Sequence, residues 1–205
     1  MTETPTPTSE RLISAAMRLF SEKGYGSTSV ADILREAGAN SGSLYHVFPT
    51  KQDLLVAVLK AYREGIGPML LAPAWEGVAD PIERVFALLA RYRLGLEQTG
   101  WTYGCPIGSL ALELHEPDPA VREMLAANFD AWVMAVRDCL DAAAPRLPAG
   151  TDTGALAQFV LTVMEGGVMQ ARTHRGPEAF DASVAMLRDY LSRLEAAARH
   201  TSRGG

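Results

Sequence analysis

From Ser9 onward, apolar residues recur at intervals of three, four and seven. No convincing run alternates with period two, so the chain reads as all helix. Leu12, Ile13, Ala16, Met17 and Phe20 share a face of a first helix over about Ser9–Lys23, with Gly24 as its stop. A second helix opens at Ser29, where Ser29 and Asp32 have capping-box spacing. It carries Val30, Ile33, Leu34 and Ala37 inward and ends at Gly38. The connection Gly38-Ala39-Asn40-Ser41 leads to a short helix over about Gly42–Phe48, which Pro49 stops. A fourth helix starts at Thr50, spaced to Asp53 as a second capping box, and buries Leu54, Leu55, Val58, Leu59 and Tyr62.

The Gly- and Pro-rich stretch Gly65–Ala79 reads as a loop. Asp80-Pro81-Ile82-Glu83 then has the N-cap, N1 proline and N3 acid of a helix start, and that helix runs to about Gln98. An aromatic turn, Gly100–Pro106, precedes a helix to about His115. A long helix follows from Pro117-Asp118-Pro119 to near Ala144, then a loop over Pro145–Gly150. Two last helices cover about Asp152–Thr173 and Pro177–Arg199. Residues 1–8, alternating Thr and Pro, and 200–205 read as tails. The expected architecture is all-α with about nine helices: a three-helix helix-turn-helix domain over 9–55, then a larger helical bundle over 56–200.

At 205 residues the chain is long enough for a substantial core, and its 48% hydrophobic and 21% charged residues describe an ordinary globular protein. No stretch approaches the roughly 20 apolar residues of a membrane span, and the start lacks the basic and apolar regions of a signal peptide. Cys105 and Cys139 have no zinc-site spacing and are too few for a disulfide scaffold, so a reduced, cytoplasmic protein without cofactor or metal is expected. The net charge is −5 but unevenly spread: residues 1–51 hold five basic and five acidic side chains. A phosphate-binding surface therefore belongs near the N-terminus and cannot rest on bulk charge.

The second and third helices have helix-turn-helix proportions. At about 100° per residue, Leu44 and Phe48 point to the core with Val47 beside them. Gly42 and His46 then point outward, flanked by Ser43 and Tyr45. That outer face carries no carboxylate, as a helix lying in a major groove requires. Two other readings stay open. Cys105 with His115 or His174 could serve as thiol nucleophile and base, but Cys105 and His115 are about 15 Å apart along one helix, and no phosphate loop or nucleophile elbow exists. A helical binding module without DNA recognition is the third class.

The stretch Arg11–Leu55 resembles the DNA-binding domain of the TetR family. The resemblance is carried by Phe20, Gly24-Tyr25, Thr28-Ser29 before Ile33, Ala37-Gly38, Gly42, Leu44-Tyr45, Phe48, Lys51 and Leu54-Leu55. Val47 departs from the ring that often precedes the final Phe. The resemblance implies phosphate contacts by Thr28 and Ser29, base-edge proximity for Ser41, Gly42 and Ser43, and a backbone clamp by Tyr45, His46 and Lys51. The implied partner is a two-fold symmetric double-stranded DNA operator, bound by a homodimer.

In the last two helices Phe159, Val163, Gly167, Val184, Leu187 and Leu191 lie on stripes wide enough for two partners. Periodicity leaves a dimer interface and an intramolecular core equally open, and the family resemblance implies the dimer. Tyr62, Tyr92, Trp101, Tyr103, Phe129, Trp132 and Met169 could line an apolar effector pocket or could be core. Glu113 and Glu165 interrupt apolar runs; each either orients a ligand, faces solvent or pairs with Arg172 or Arg93. The segment Gly104–Leu114, GCPIGSLALEL, resembles the LmrA/YxaF-like branch of the family. That implies a regulator, a repressor, released by an apolar or aromatic small molecule.

Overall fold

The computed structural model describes residues 7–201, and no strand occurs among them. The helices are α1 (Thr8–Lys23), α2 (Val30–Ala37), α3 (Ser41–Val47), α4 (Lys51–Gly65), the single turn α5 (Ala72–Trp75), α6 (Pro81–Gln98), α7 (Pro106–Glu113), α8 (Pro119–Ala142), α9 (Thr153–His174) and α10 (Glu178–Thr201). Of the expected tails, residues 1–6 and 202–205 lie outside the described residues, while Thr8 and residues 200–201 are helical.

The chain forms two compact units. One comprises the residues up to Glu64 together with Pro106–Asn128; the other comprises Gly65–Cys105 and the residues from Phe129 onward. This partition differs from a single cut at residue 55. The apolar face of α4 (Leu54, Leu55, Val58, Leu59) is buried, and the Asn128 side chain on α8 donates to the Leu59 carbonyl at 3.0 Å.

In the first unit, α1 buries Leu12, Ala15, Ala16, Leu19 and Phe20. Both expected capping boxes form. The Ser29 hydroxyl accepts the Asp32 N–H while the Asp32 carboxylate accepts the Ser29 N–H, and Thr50 and Asp53 make the same exchange. Gly38 ends α2 at φ 57°, where a side chain is disfavoured. The Arg11 guanidinium donates to the Ala37 carbonyl at 3.1 Å, placing a cation at the negative end of α2. Leu44 on α3 is fully buried and Phe48 nearly so. Val47, expected beside them, is 39% exposed. It is the last residue of a helix too short to keep a third side chain on the core side.

In the second unit, Val85, Leu88 and Leu89 of α6, Val136 and Leu140 of α8, Ala157, Val160 and Met164 of α9, and Phe180, Leu187 and Leu191 of α10 form one core. The expected loop over Gly65–Ala79 is corrected. A π-helical segment, Ile66–Leu71, continues α4 and passes into α5. The Ala72 N–H reaches the Gly67 carbonyl, five residues back. A wider turn accommodates Pro68, whose ring would clash inside a regular α-helix. Ion pairs Arg188–Glu83 and Arg146–Asp80 tie α10 and the loop after α8 to the start of α6.

Candidate functional site

Helix α3 is pinned by Leu44 below and capped by Asn40, whose side chain accepts the Ser43 N–H at 2.8 Å. With Leu44 inside, the opposite face is set by helix geometry. Ser41, Gly42, Tyr45 and His46 are exposed, Tyr45 by 53%, and Ser43 is half-buried. The helix contains no acidic residue. Polar hydrogen-bonding groups therefore project from the unit with no carboxylate among them to repel phosphate.

The other expected contacts fare differently. Thr28 is 1% exposed, and its hydroxyl donates to the Gly24 carbonyl at 2.7 Å. It closes the α1–α2 turn and is not available to phosphate, which corrects its expected role. Ser29 is exposed, but its hydroxyl donates to Asp32 at 2.7 Å within the capping box. Lys51 is half-buried: its ammonium donates to the Tyr25 carbonyl and lies 4.0 Å from the centre of the Tyr25 ring. Burial pushes the Lys51 pKa down, with the Glu113 carboxylate opposing. Burial likewise raises the Tyr25 pKa, here with Glu113 adding to it.

Glu113, expected to orient a ligand, face solvent or pair with Arg172 or Arg93, is exposed to solvent and also reaches a backbone turn. Its carboxylate accepts the backbone N–H of Tyr25 at 2.9 Å and of Gly26 at 2.6 Å. The signal for this lay in the turn it grips, 87 and 88 residues earlier, which no local pattern links to it. Tyr62 also belongs to the first unit, its hydroxyl 3.2 Å from the Ser21 hydroxyl.

In the second unit the structure brings Tyr92, Trp132 and Glu165 together with Cys105, which the sequence reading of an effector pocket left out. Tyr92 is partly buried against the core, and its pKa is pushed up by desolvation, with Cys105 and Glu165 adding to it. Burial raises the Glu165 pKa, and a hydrogen bond with the Cys105 thiol pulls it back. Among the described residues the Glu165 Oε1 is buried without a hydrogen-bond partner, and the Trp132 Nε1 faces the Tyr92 hydroxyl. The Cys105 thiol thus faces a carboxylate, not a histidine base. A local device sets this up. Trp101 and Arg175 adopt positive φ of 60° and 55°, and Arg175 donates to the Trp101 carbonyl at 2.9 Å. Gly104 lies so close to α9 that a β-carbon there would meet Arg172 and Val168 side-chain atoms at 2.7 Å. Trp101 and Phe129 pack at the edge of the core, and Tyr103 is half-buried. Met169 is corrected: it is largely exposed on α9, as is Met134 on α8.

The expected dimer residues divide. Gly167, Leu187 and Leu191 are buried inside the protomer, with a Gly167 β-carbon falling 2.9 Å from the Phe180 ring. Within the protomer α9 and α10 use them against each other, and Leu187 also lines the open groove between the two helices. A second apolar seam runs one residue out of step. It forms an open groove lined by Phe159, Val163, Met186, Tyr190 and Leu194 with Leu187 on its floor. Phe159 and Tyr190 meet edge to face at 6.1 Å. Val184 is partly buried against the core. Met186 and Tyr190 were missed because the Leu187–Leu191 stripe accounted for the helix's apolar period.

Two family models match the chain. Residues 12–58 fit the bacterial regulatory proteins, tetR family, and residues 81–187 fit the tetracyclin repressor-like C-terminal domain. The HTH-type transcriptional regulator YxaF of Bacillus subtilis is 26% identical, with 81% of this chain and 85% of the relative covered. The HTH-type transcriptional regulator LmrA of the same organism is 33% identical over 60% of this chain and 65% of the relative. A crystal structure of the regulatory protein TetR from Rhodobacter sphaeroides superimposes with a TM-score of 0.80 at 26% identity, covering 89% of this chain and 97% of that one. With an all-helical fold, a helix-turn-helix whose α3 presents a face without carboxylates, and family matches on both sides of residue 65, the chain belongs to the TetR family of DNA-binding transcriptional regulators.

Proposed function

We propose that this regulator is a repressor that binds a two-fold symmetric operator as a homodimer and is released by a small apolar or aromatic effector. The observation that carries the reading is the outer face of α3, where Tyr45 and His46 stand clear of the unit among small polar residues. Ser41, Gly42 and Ser43 supply groups near base edges, while Tyr45, His46 and Lys51 hold the backbone. Lys51 has two N–H donors left beyond the one given to Tyr25. Ser29 contributes only by exchanging its bond to Asp32. Thr28 drops out.

Residues 1–51 carry five basic and five acidic side chains and the unit as a whole is net acidic, so one copy binds DNA weakly and two copies are required. The exposed seam of Phe159, Met186 and Tyr190 supplies a self-complementary apolar face on α9 and α10. The effector site is supported by the cluster of Tyr92, Cys105, Trp132 and Glu165. A buried carboxylate oxygen left unpaired is costly, and a ligand offering a donor to the Glu165 Oε1 removes that cost. Release follows when the effector binds the non-DNA-binding geometry more tightly than the binding one.

The test begins with duplexes selected by the purified protein from a random pool. Tyr45→Ala and His46→Ala are each expected to weaken binding by about 10- to 100-fold, as for loss of 1–3 kcal/mol contacts, with thermal melts unchanged. Wild-type retention by both variants would leave a helical module that does not read DNA through α3.

A further inference from the structure

Glu113 is the last residue of α7, and both of its carboxylate oxygens are engaged with consecutive backbone N–H groups of the turn between α1 and α2. A bidentate, charge-assisted grip of this kind is stronger and more directional than a neutral contact. The turn is built to receive it. A β-carbon on Gly24, which sits at φ 83°, would fall 2.9 Å from one oxygen, and one on Gly26 would fall 3.1 Å from the other. A side chain at Gly24 forces the carboxylate to shift, and one at Gly26 crowds it by a few tenths of an ångström.

The gripped residue, Tyr25, is also held from the opposite side. Its carbonyl accepts the Lys51 ammonium from the first turn of α4, and its ring lies under that ammonium and edge-on to Phe20 at 5.3 Å. The α1–α2 turn is thus fixed at its N–H groups by α7 and at its carbonyl and ring by α4. Three residues later the chain enters Thr28 and Ser29 and the capping box that starts α2. The direction in which α2 leaves this turn sets where α3 lies, since Gly38 and the Arg11 bonds to the end of α2 fix the rest.

We propose that Glu113 is a positioning residue for DNA binding: by gripping Tyr25 and Gly26 it holds the helix-turn-helix and Lys51 in the arrangement that fits the duplex. The proposal rests on the reading that α3 and Lys51 face DNA. It also makes a prediction opposite in sign to simple charge. Glu113 is an exposed carboxylate on the DNA-binding unit. Coulomb repulsion from phosphate alone says that removing it strengthens binding. Positioning says that removing it weakens binding.

The experiment measures affinity for a duplex selected by the wild-type protein, over a salt series, for Glu113→Ala and Glu113→Gln. Amide hydrogen exchange of the α1–α2 turn is followed in the free proteins. Glu113→Ala is expected to bind roughly tenfold more weakly, as for couplings carried by residues that do not touch the ligand. Its salt slope should be unchanged, because no phosphate contact is removed, and the Tyr25 and Gly26 amides should exchange faster. Glu113→Gln keeps one acceptor and the side-chain shape, so it should fall between Ala and wild type; it also decides the matter if the Ala variant fails to fold. Equal or tighter binding by a folded variant overturns the proposal, as does wild-type protection of both amides. If wild-type protein selects no duplex, the functional reading fails, and the exchange measurement alone still judges the grip.

Discussion

Glu165 shows how a single buried carboxyl makes stability depend on pH. Its pKa is raised, chiefly by desolvation, so the folded state holds the proton more tightly than the unfolded chain. Its contribution is therefore complete below the ordinary carboxylate range and is lost as pH rises through the folded value. Glu165→Gln removes the charge and keeps the shape. The melting temperature of this variant should match wild type below the ordinary carboxylate range and exceed it at pH 7.5, the gap opening as pH rises. A gap that does not change with pH would place the carboxyl in contact with water. Glu165 stood out in the sequence as an acid between Met164 and Gly166, but its neighbours Tyr92, Cys105 and Trp132 come from two other helices and a loop. Glu113 stood out for the same reason and proved to serve a turn 88 residues away. An acid in an apolar run announces a constraint without naming the partner.

At the scale of elements, what is local was readable. Ser29–Asp32 and Thr50–Asp53 close the boxes their spacing implies, because a cap depends on four consecutive residues. The π-helical passage after Gly65 was not readable, since Gly and Pro there look the same whether the chain turns away or widens its helix. Packing between helices adds a test. Gly167 lies on α9 against Phe180 of α10, with the ring 2.9 Å and the Phe180 backbone 3.4 Å from where a β-carbon would be. Gly167→Ala gains helix propensity but must displace a fully buried ring. A net loss of about 1–2 kcal/mol is expected, read as a melting temperature lower by roughly 2–8 °C. An unchanged melt would mean that α9 and α10 separate easily.

For the whole molecule, net charge and overall composition said little about partners, while the placement of uncharged surface said more. The open face of α9 and α10 exposes Met186 by 67% and Phe159 and Tyr190 by 46% each. A glutamate at position 159 should leave the protomer fold intact, because the side chain points out of it. Phe159→Glu is expected to sediment at the 22.1 kDa of one chain and to lose operator binding, and wild type is expected to sediment at twice that mass. A monomeric wild type would remove the dimer from the proposed function.

Taken alone, the order of residues determined that the chain is helical, where most helices start and stop, and which short helix presents an uncharged face. These follow from interactions within three or four residues, or from a period that one helix displays by itself. Only tertiary structure decided that Thr28 turns its hydroxyl inward, that Leu187 and Leu191 serve the protomer while Met186 and Tyr190 face out, and that Glu113 holds the turn at Tyr25. Each of these depends on which of two competing faces or partners another part of the chain occupies, and that competition is settled by packing across tens of residues.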